Sequence, residues 1–401
     1  MPRCSAVLVA SFAVLFGAPS FAQTATAPAH DYKQIANRVV NDVVHVKHED
    51  LVFVFGEVRD LPLLDELQAE CWKLGAQTLP VYSSERMTRR FFDESPAKFD
   101  SDPPDLWLKL TPVATVLISV DGQEHPELWK DVPPERSAAM DKAWEPVAKL
   151  RLERNVRRVS LGNGLYPTAA TAKSFGITKE ELEKLFFDGI GTDPKKLHAT
   201  GVALRDLLAK GKELRIKNAN GTDLKMRVEG RPVVLNDGAI SDEDLKKGGP
   251  ALIKWLPAGE VLGTPVTGTA EGKVVIDRLP WDEGEVEGLT LTVKAGKITA
   301  MTAKPSPYFD HLKKQYEAAI GRKDELSVFD FGINPDVKFP KTGRPLTWIP
   351  AGSFTLQTGG NTQFGGDNTC MFGVALYLPG STVTLDGKPI VDKGELKVVA
   401  K

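Results

Sequence analysis

The chain has 401 residues, of which 42% are hydrophobic and 26% are charged, and its formal net charge is −2 at pH 7. This composition is typical of a soluble globular protein that is long enough for two domains. Charges of both signs are interspersed and nearly balanced, which gives no indication of a large basic surface for nucleic acid or an anionic membrane, so we expect a small or mixed-charge partner and no nucleic acid.

The first 22 residues have the pattern of a secretory signal peptide. Arg3 supplies a positive charge, residues 6–16 form an apolar run, and Ser20-Phe21-Ala22 is a small-x-small cleavage site. The run is short for a bilayer span, and no later stretch is long and apolar enough for one. We therefore predict an exported protein, periplasmic or secreted, with no membrane span after signal removal. Residues 23–30 are rich in Ala, Thr and Pro and are predicted to be disordered.

Two cysteines remain after removal of the signal, which contains Cys4. Cys71 and Cys370 are far apart in the chain and do not form a disulfide framework. Cys71 lies in a helical pattern and is predicted to be a buried apolar residue. Whether the two cysteines pair stays open.

Residues 31–211 are predicted to form an α/β domain with a parallel sheet. Strand and helix patterns alternate here, and parallel strands require crossover connections of this kind. The predicted strands are residues 51–56, 77–81, 114–120 and 157–161, and the predicted helices are residues 32–44, 61–74, 134–152, 169–175, 178–187 and 195–208.

Residues 212–401 are predicted to form a β-rich domain, so the fold class is α+β. Alternating polar and apolar residues predominate, and Asn220-Gly221 is a hairpin-type turn. One helix is predicted at residues 309–320. The predicted strands are residues 213–217, 223–228, 252–255, 273–276, 289–293, 298–303, 326–331, 353–356, 371–378 and 382–385, with a further strand around Val233.

Glu260 is the first candidate for chemistry. The run Leu256-Pro257-Ala258-Gly259-Glu260-Val261 places this glutamate directly after a tight turn and at the start of an extended segment. A carboxylate held on such a rigid element can ligate or bridge metal ions. The ordinary alternative is an exposed turn residue, because charged side chains are mostly on the surface.

Several strings, in order along the chain, resemble the thermophilic aminopeptidase family of metallopeptidases (the aminopeptidase T and aminopeptidase S group). They are the run around Glu260 together with Tyr166-Pro167-Thr168, Gly221-Thr222-Asp223-Leu224, Gly332-Ile333-Asn334-Pro335 and Leu385-Asp386-Gly387. The resemblance covers nearly the whole mature chain. It implies homodimers that enclose a cavity, and a site with two divalent ions, Zn, Co or Mn, that removes N-terminal residues from peptides.

The resemblance also implies a ligand set of two glutamates, two histidines and an aspartate, with a tyrosine nearby. Glu260 matches the first glutamate, but Val328 stands at the second, Thr355 at the first histidine and Thr362 at the tyrosine. The closing histidine and aspartate fall on residues 372–375, where neither is present. Asp330 lies two residues after Val328 and therefore on the same face of a strand. Glu260 and Asp330 are thus the candidate catalytic and metal-binding residues.

Histidine usage argues against imidazole ligands in the β-rich domain. Of the six histidines only His311 lies there, in a helical pattern. Ring-cleaving pyridine dioxygenases that share this fold need histidines at the same place. A site built only from oxygen ligands favours hard ions over zinc, and the absence of any bound metal is the other possibility.

Two functions remain open from the sequence. One is a metal-dependent aminopeptidase with a degenerate metal site. The other is a non-catalytic binding protein that holds a peptide or small polar ligand in the same cavity. In that case Thr355, Gln357, Thr362 and Asn368 are predicted to line the pocket, although a loop of this composition is equally compatible with a solvent-exposed surface.

Overall fold

The computed structural model describes residues 31–282 and 284–398, so the predicted signal peptide and residues 23–30 lie outside the described residues. The helices are α1 (Tyr32–Asn37), α2 (Leu61–Lys73), α3 (Glu85–Glu94), α4 (Asp105–Leu110), α5 (Pro134–Glu153), α6 (Ala169–Phe175), α7 (Lys179–Gly191), α8 (Pro194–Lys210), α9 (Asp242–Lys247) and α10 (Pro307–Ala318). A π-helical segment, Arg38–Val43, continues α1, so the helix predicted at residues 32–44 changes its hydrogen-bonding pattern half-way along.

The strands have the following bounds. They are β1 (Leu51–Glu57), β2 (Gln77–Ser83), β3 (Val116–Val120), β4 (Arg157–Leu161), β5 (Glu213–Lys217), β6 (Asp223–Arg227), β7 (Val233–Asn236), β8 (Ile253–Leu256), β9 (Glu260–Gly263), β10 (Glu271–Trp281), β11 (Gly284–Lys294), β12 (Lys297–Thr302), β13 (Leu326–Gly332), β14 (Phe354–Thr358), β15 (Ala375–Tyr377), β16 (Thr382–Leu385), β17 (Lys388–Asp392) and β18 (Glu395–Leu396). The strand predicted at residues 371–378 is therefore reduced to three residues.

The N-terminal part is built on a parallel sheet, as predicted. Its strand order is β2-β1-β3-β4-β8, and every neighbouring pair is parallel. Its central strands are rich in buried valine and isoleucine, including Val52, Val54, Val116 and Ile118. Such runs are expected where helices cover a parallel sheet.

The edge strand β8 comes from beyond residue 212. It pairs with β4, with Ser160 opposite Trp255 and Leu161 opposite Leu256. The sequence pattern assigned this strand to the β-rich region, whereas in the structure the chain returns to the parallel sheet before it enters β9. The division near residue 212 itself stays a prediction.

The C-terminal part contains two antiparallel sheets, which confirms the α+β class. The larger has the order β12-β11-β10-β6-β5-β16-β17-β18, and the smaller has the order β15-β14-β13-β9-β7. The predicted hairpin at Asn220-Gly221 joins β5 to β6, and Gly221 has a φ of 100°, which favours glycine. Among the described residues, no helix is both long and apolar enough to cross a membrane.

Candidate active site

The smaller antiparallel sheet brings the candidate residues onto one face. Asp330 lies opposite Leu262 on one side and Thr355 on the other, and Thr355 lies opposite Tyr377. Residues opposite each other in antiparallel strands share a face, as do residues two apart in one strand. Glu260, two residues before Leu262, therefore joins Asp330, Thr355 and Tyr377 on this face, which we call the acid row.

Glu260 is almost fully buried, with 2% of its surface exposed. Its Oε2 accepts hydrogen bonds from two side-chain amides, Asn163 Nδ2 at 3.0 Å and Asn236 Nδ2. Asn163 is oriented in turn by Trp348, whose Nε1 donates to Asn163 Oδ1 at 2.8 Å. Burial raises the pKa of Glu260 to about 7, and the amide donors oppose that rise.

Asp330 is equally buried, and its Oδ1 has no hydrogen-bond partner. Burial raises the pKa of Asp330 well above its usual value, and the nearby charge of Glu260 raises it further. Two carboxyls that share a dry site cannot both ionise at low cost. The pair is therefore arranged to hold at least one proton at neutral pH.

The other end of the acid row is neutral. Thr355 has no exposed surface, and its Oγ1 has no hydrogen-bond partner. The Tyr377 ring stacks on Trp348, with ring centroids 5.8 Å apart and planes 9° from parallel. Burial raises the pKa of the Tyr377 hydroxyl, and the charge of Asp330 adds to the rise. This end of the row therefore contributes hydroxyl groups and no further carboxylate.

The turn before Glu260 is fixed by Asn334, from the string Gly332-Ile333-Asn334-Pro335. Asn334 Nδ2 donates to the carbonyl oxygen of Ala258 at 2.6 Å, and the amide of Ile333 donates to the carbonyl of Gly259 at 2.8 Å. Gly259 has a φ of 128°, and a Cβ atom there would lie 2.5 Å from Asn334 Cβ. Two of the strings that suggested the family are thus parts of one contact that positions Glu260.

The residues predicted to line a polar pocket differ in accessibility. Thr355 and Asn368 are buried, whereas Gln357 and Thr362 are half-buried. The Asn368 side chain stabilises the surrounding backbone. It donates to the carbonyl of Arg322 at 2.9 Å and accepts from the amide of Cys370 at 3.0 Å. Their part in ligand binding stays a prediction.

Sequence reasoning missed four residues around the acid row: Asn163, Asn236, Trp348 and Tyr377. Asn163 follows β4 within Gly162-Asn163-Gly164, and a polar residue at the carboxyl end of a parallel strand is a recognisable signal. Asn236 ends β7 directly opposite Glu260. Nothing in the sequence places Trp348 or Tyr377, because their positions depend on a long connection and on a three-residue strand.

Comparison with known proteins decides the family. A family model described as thermophilic metalloprotease (M29) matches residues 29–318. The chain belongs to this family. The matched segment contains Glu260 but ends before Asp330, Thr355 and Tyr377. A search of curated proteins finds no match.

Two solved structures share the fold of this metalloprotease-family chain. Wild-type AmpT from Thermus thermophilus is 16% identical, with a TM-score of 0.64 over 92% of this chain and 99% of that chain. The 2,5-dihydroxypyridine dioxygenase from Pseudomonas putida KT2440 is 15% identical, with a TM-score of 0.59 over 92% of this chain and 97% of that chain. At these identities the likeness concerns the fold alone.

The surroundings of Glu260 bear on the two-metal centre that the resemblance implies. Within residues 31–282 and 284–398, no group of three or more His, Cys, Asp or Glu side chains is placed to hold a metal ion. Glu260 meets amide N–H groups, and the histidines His198 and His311 are engaged elsewhere, with Asp237 and Asp282 respectively. Two-metal hydrolytic centres use carboxylate and imidazole side chains as ligands. In the acid row, the carboxyl groups are those of Glu260 and Asp330.

Proposed function

We propose that this chain is an exported member of the metalloprotease family with a degenerate metal centre. It binds a peptide or another small polar ligand beside the acid row and does not hydrolyse peptides with two metal ions. The observation that carries the proposal is the surroundings of Glu260, which meets two amide donors and one other carboxyl group. Homodimer formation and export, with a periplasmic or secreted location, belong to the same proposal.

The contacts of the acid row support a neutral, protonated cluster. Metal ligation requires deprotonated carboxylates, since a metal ion competes with protons for the same oxygens. In this chain, burial favours the protonated form of both Glu260 and Asp330. The amides of Asn163 and Asn236 satisfy Glu260 without a cation.

The ligand is expected to contact the predicted pocket residues that are accessible to solvent. Gln357 and Thr362 are half-buried, so their polar groups are available to a ligand, whereas Thr355 is enclosed. Neutral amide and hydroxyl groups suit the hydrogen-bonding groups of a peptide backbone.

Metal content tests the first half of the proposal. Elemental analysis of the purified mature protein is expected to find far less than one Zn, Co or Mn ion per chain, unchanged in Glu260→Gln. The same protein is expected to release no N-terminal residue from a peptide panel supplied with Zn, Co, Mn or Mg. Near-stoichiometric metal that falls in Glu260→Gln would contradict the degenerate site.

Ligand binding tests the second half. A ligand that binds the native state raises the melting temperature by mass action. We expect a member of a short-peptide panel to raise the Tm of the wild-type protein, and Gln357→Ala and Thr362→Ala to reduce that shift. Thr299→Ala, an exposed substitution on β12, is the matched control. A panel that leaves the wild-type Tm unchanged would argue against a peptide-binding role.

A second candidate function is a metal-dependent aminopeptidase that uses Glu260 and Asp330. The observation in its favour is that Asp330 Oδ1 and Thr355 Oγ1 are buried without hydrogen-bond partners, as oxygens awaiting a cation would be. Oxygen donors favour Mn or Mg over Zn. This function predicts peptide hydrolysis that a chelator abolishes and Mn or Mg restores, and that Asp330→Asn removes.

A further inference from the structure

A cavity of about 360 Å³ lies against the parallel sheet, and none of the acid-row residues lines it. Residues of β1, β3, β4 and β8 line it, and α5 contributes Arg151. Its size is within the range of small-molecule sites, which is about 300–1,000 Å³. The charged residues at its wall make it a candidate for a specific ligand.

Two arginines at this cavity are left without partners. Arg151 Nε is buried and has no hydrogen bond, and among the described residues the Arg158 side chain makes neither a hydrogen bond nor an ion pair. Burial, together with the nearby charge of Arg151, lowers the pKa of Arg158 to about 10. The preceding residue, Arg157, is buried with a partner, because its guanidinium forms an ion pair with Asp50 at 2.5 Å. Unpaired, enclosed cations are costly, so an anionic group is the expected complement.

An acidic group occupies another part of the same wall. Asp121 follows β3, and its carboxylate accepts hydrogen bonds from the hydroxyls of Ser119, at 3.2 Å, and Ser160. It acts on the pKa of Arg158 but does not lie within ion-pair distance of it. Phe55 and Trp255 supply apolar wall in the same cavity. The cavity therefore offers separate sites for a negative group, a positive group and an apolar group.

We propose that this cavity binds a free α-amino acid with an apolar side chain. Its carboxylate lies between Arg151 and Arg158, its ammonium group faces Asp121, and its side chain packs against Phe55 and Trp255. Arginine and carboxylate form charge-assisted, often bidentate pairs, and one carboxylate between the two guanidinium groups can accept hydrogen bonds from both and offset one of their two positive charges. This proposal is independent of the one made for the acid row, because the two sites share no residue.

Calorimetric titration of the mature full-length chain with L-phenylalanine tests the proposal. We expect saturable binding that weakens about tenfold or more with L-phenylalaninamide, which lacks the carboxylate, and in Arg158→Gln. N-acetyl-L-phenylalanine lacks the ammonium group and should also bind more weakly. Asp121→Asn should weaken phenylalanine but not its N-acetyl derivative. The control is Arg154→Gln, because the Arg154 side chain is exposed and donates a hydrogen bond to the carbonyl of Pro112, at 3.3 Å, away from the cavity lining.

The melting temperature of ligand-free Arg158→Gln separates a binding role from a structural one. Removing an unpaired, enclosed charge should leave the Tm equal to that of the wild type or raise it, whereas loss of a structural arginine lowers it. The absence of saturable phenylalanine binding would overturn the proposal. Equal affinity for acetate or inorganic phosphate would also overturn it, because the cavity would then be a simple anion site.

Discussion

At the scale of single residues, burial of the acid row favours the uncharged forms of Glu260 and Asp330. Glu260 can be read from the sequence as a candidate, because the Pro-Ala-Gly turn and the family strings single it out. The sequence does not identify its two amide partners in the same way. Asn163 follows β4 and Asn236 ends β7, and they are 97 and 24 residues from Glu260 along the chain. Simple alternation predicts that Asp330 shares a strand face with Val328, and in the structure Asp330 lies opposite Thr355.

The raised pKa of Glu260 predicts how stability depends on pH. The pKa of Glu260 is raised from its usual value of 4.5 to about 7 in the native state. Between these two pH values the native state therefore binds more protons at this site than the unfolded state does. Stability contributed by this group is therefore full below pH 4.5 and is lost as pH rises through the native pKa. Glu260→Gln keeps an oxygen for Asn163 and Asn236 but cannot ionise. At pH 8 we expect it to raise the free energy of unfolding by up to about 3 kcal/mol, from the size of the shift.

Urea denaturation at pH 5 and pH 8 measures this effect. The difference between Glu260→Gln and the wild type should be small at pH 5 and large at pH 8. Glu287→Gln is the control, because Glu287 is exposed and pairs with Lys304 on the surface. A Glu260→Gln protein that loses stability at pH 8 would mean that a charged Glu260 is needed, as a metal ligand would be.

At the scale of elements, the turn and strand that present Glu260 depend on a distant segment. The sequence strings around Gly259 and Asn334 are separate in the chain, and only the fold shows that they pack against each other. Element type followed from residue periodicity for most of the chain. Strand partners did not, because alternation describes which face a residue occupies and not which strand lies beside it. For that reason the sequence pattern does not show that β8 pairs with β4.

Gly259→Ala tests the dependence of this turn on glycine. The new Cβ atom would lie 2.5 Å from Asn334 Cβ, and the φ of 128° is strained for any side chain. We expect a loss of roughly 3 kcal/mol in the free energy of unfolding, or failure to fold. Gly230→Ala is the matched control, because Gly230 also has a positive φ, of 69°, but a Cβ atom there would have no neighbour within 4 Å. That control should lose only about 1 kcal/mol. Equal losses in the two variants would show that the contact with Asn334 has little effect on stability.

At the scale of the whole molecule, the N-terminal and C-terminal parts of the chain share both a hydrophobic cluster and a sheet. One large hydrophobic cluster includes both Val54 in the parallel sheet and Phe331 in the smaller antiparallel sheet. Strand β8 completes the parallel sheet and runs directly into the turn before Glu260. The first sheet extends beyond residue 212, because β8 (Ile253–Leu256) is its edge strand.

This arrangement predicts that the mature chain unfolds as one cooperative unit and that residues 31–211 alone do not fold. Without β8, the edge of β4 from Arg158 to Leu161 loses its partner strand, and an unpaired strand edge promotes aggregation. Calorimetry of the full chain should show one transition, and the isolated 31–211 fragment should lack a cooperative melting transition by circular dichroism. A fragment with native-like helix content and a sharp melt would show that the first half is autonomous. In that case β8 would be an addition to a sheet that is already stable, and the acid row could be lost or rebuilt without effect on the N-terminal fold.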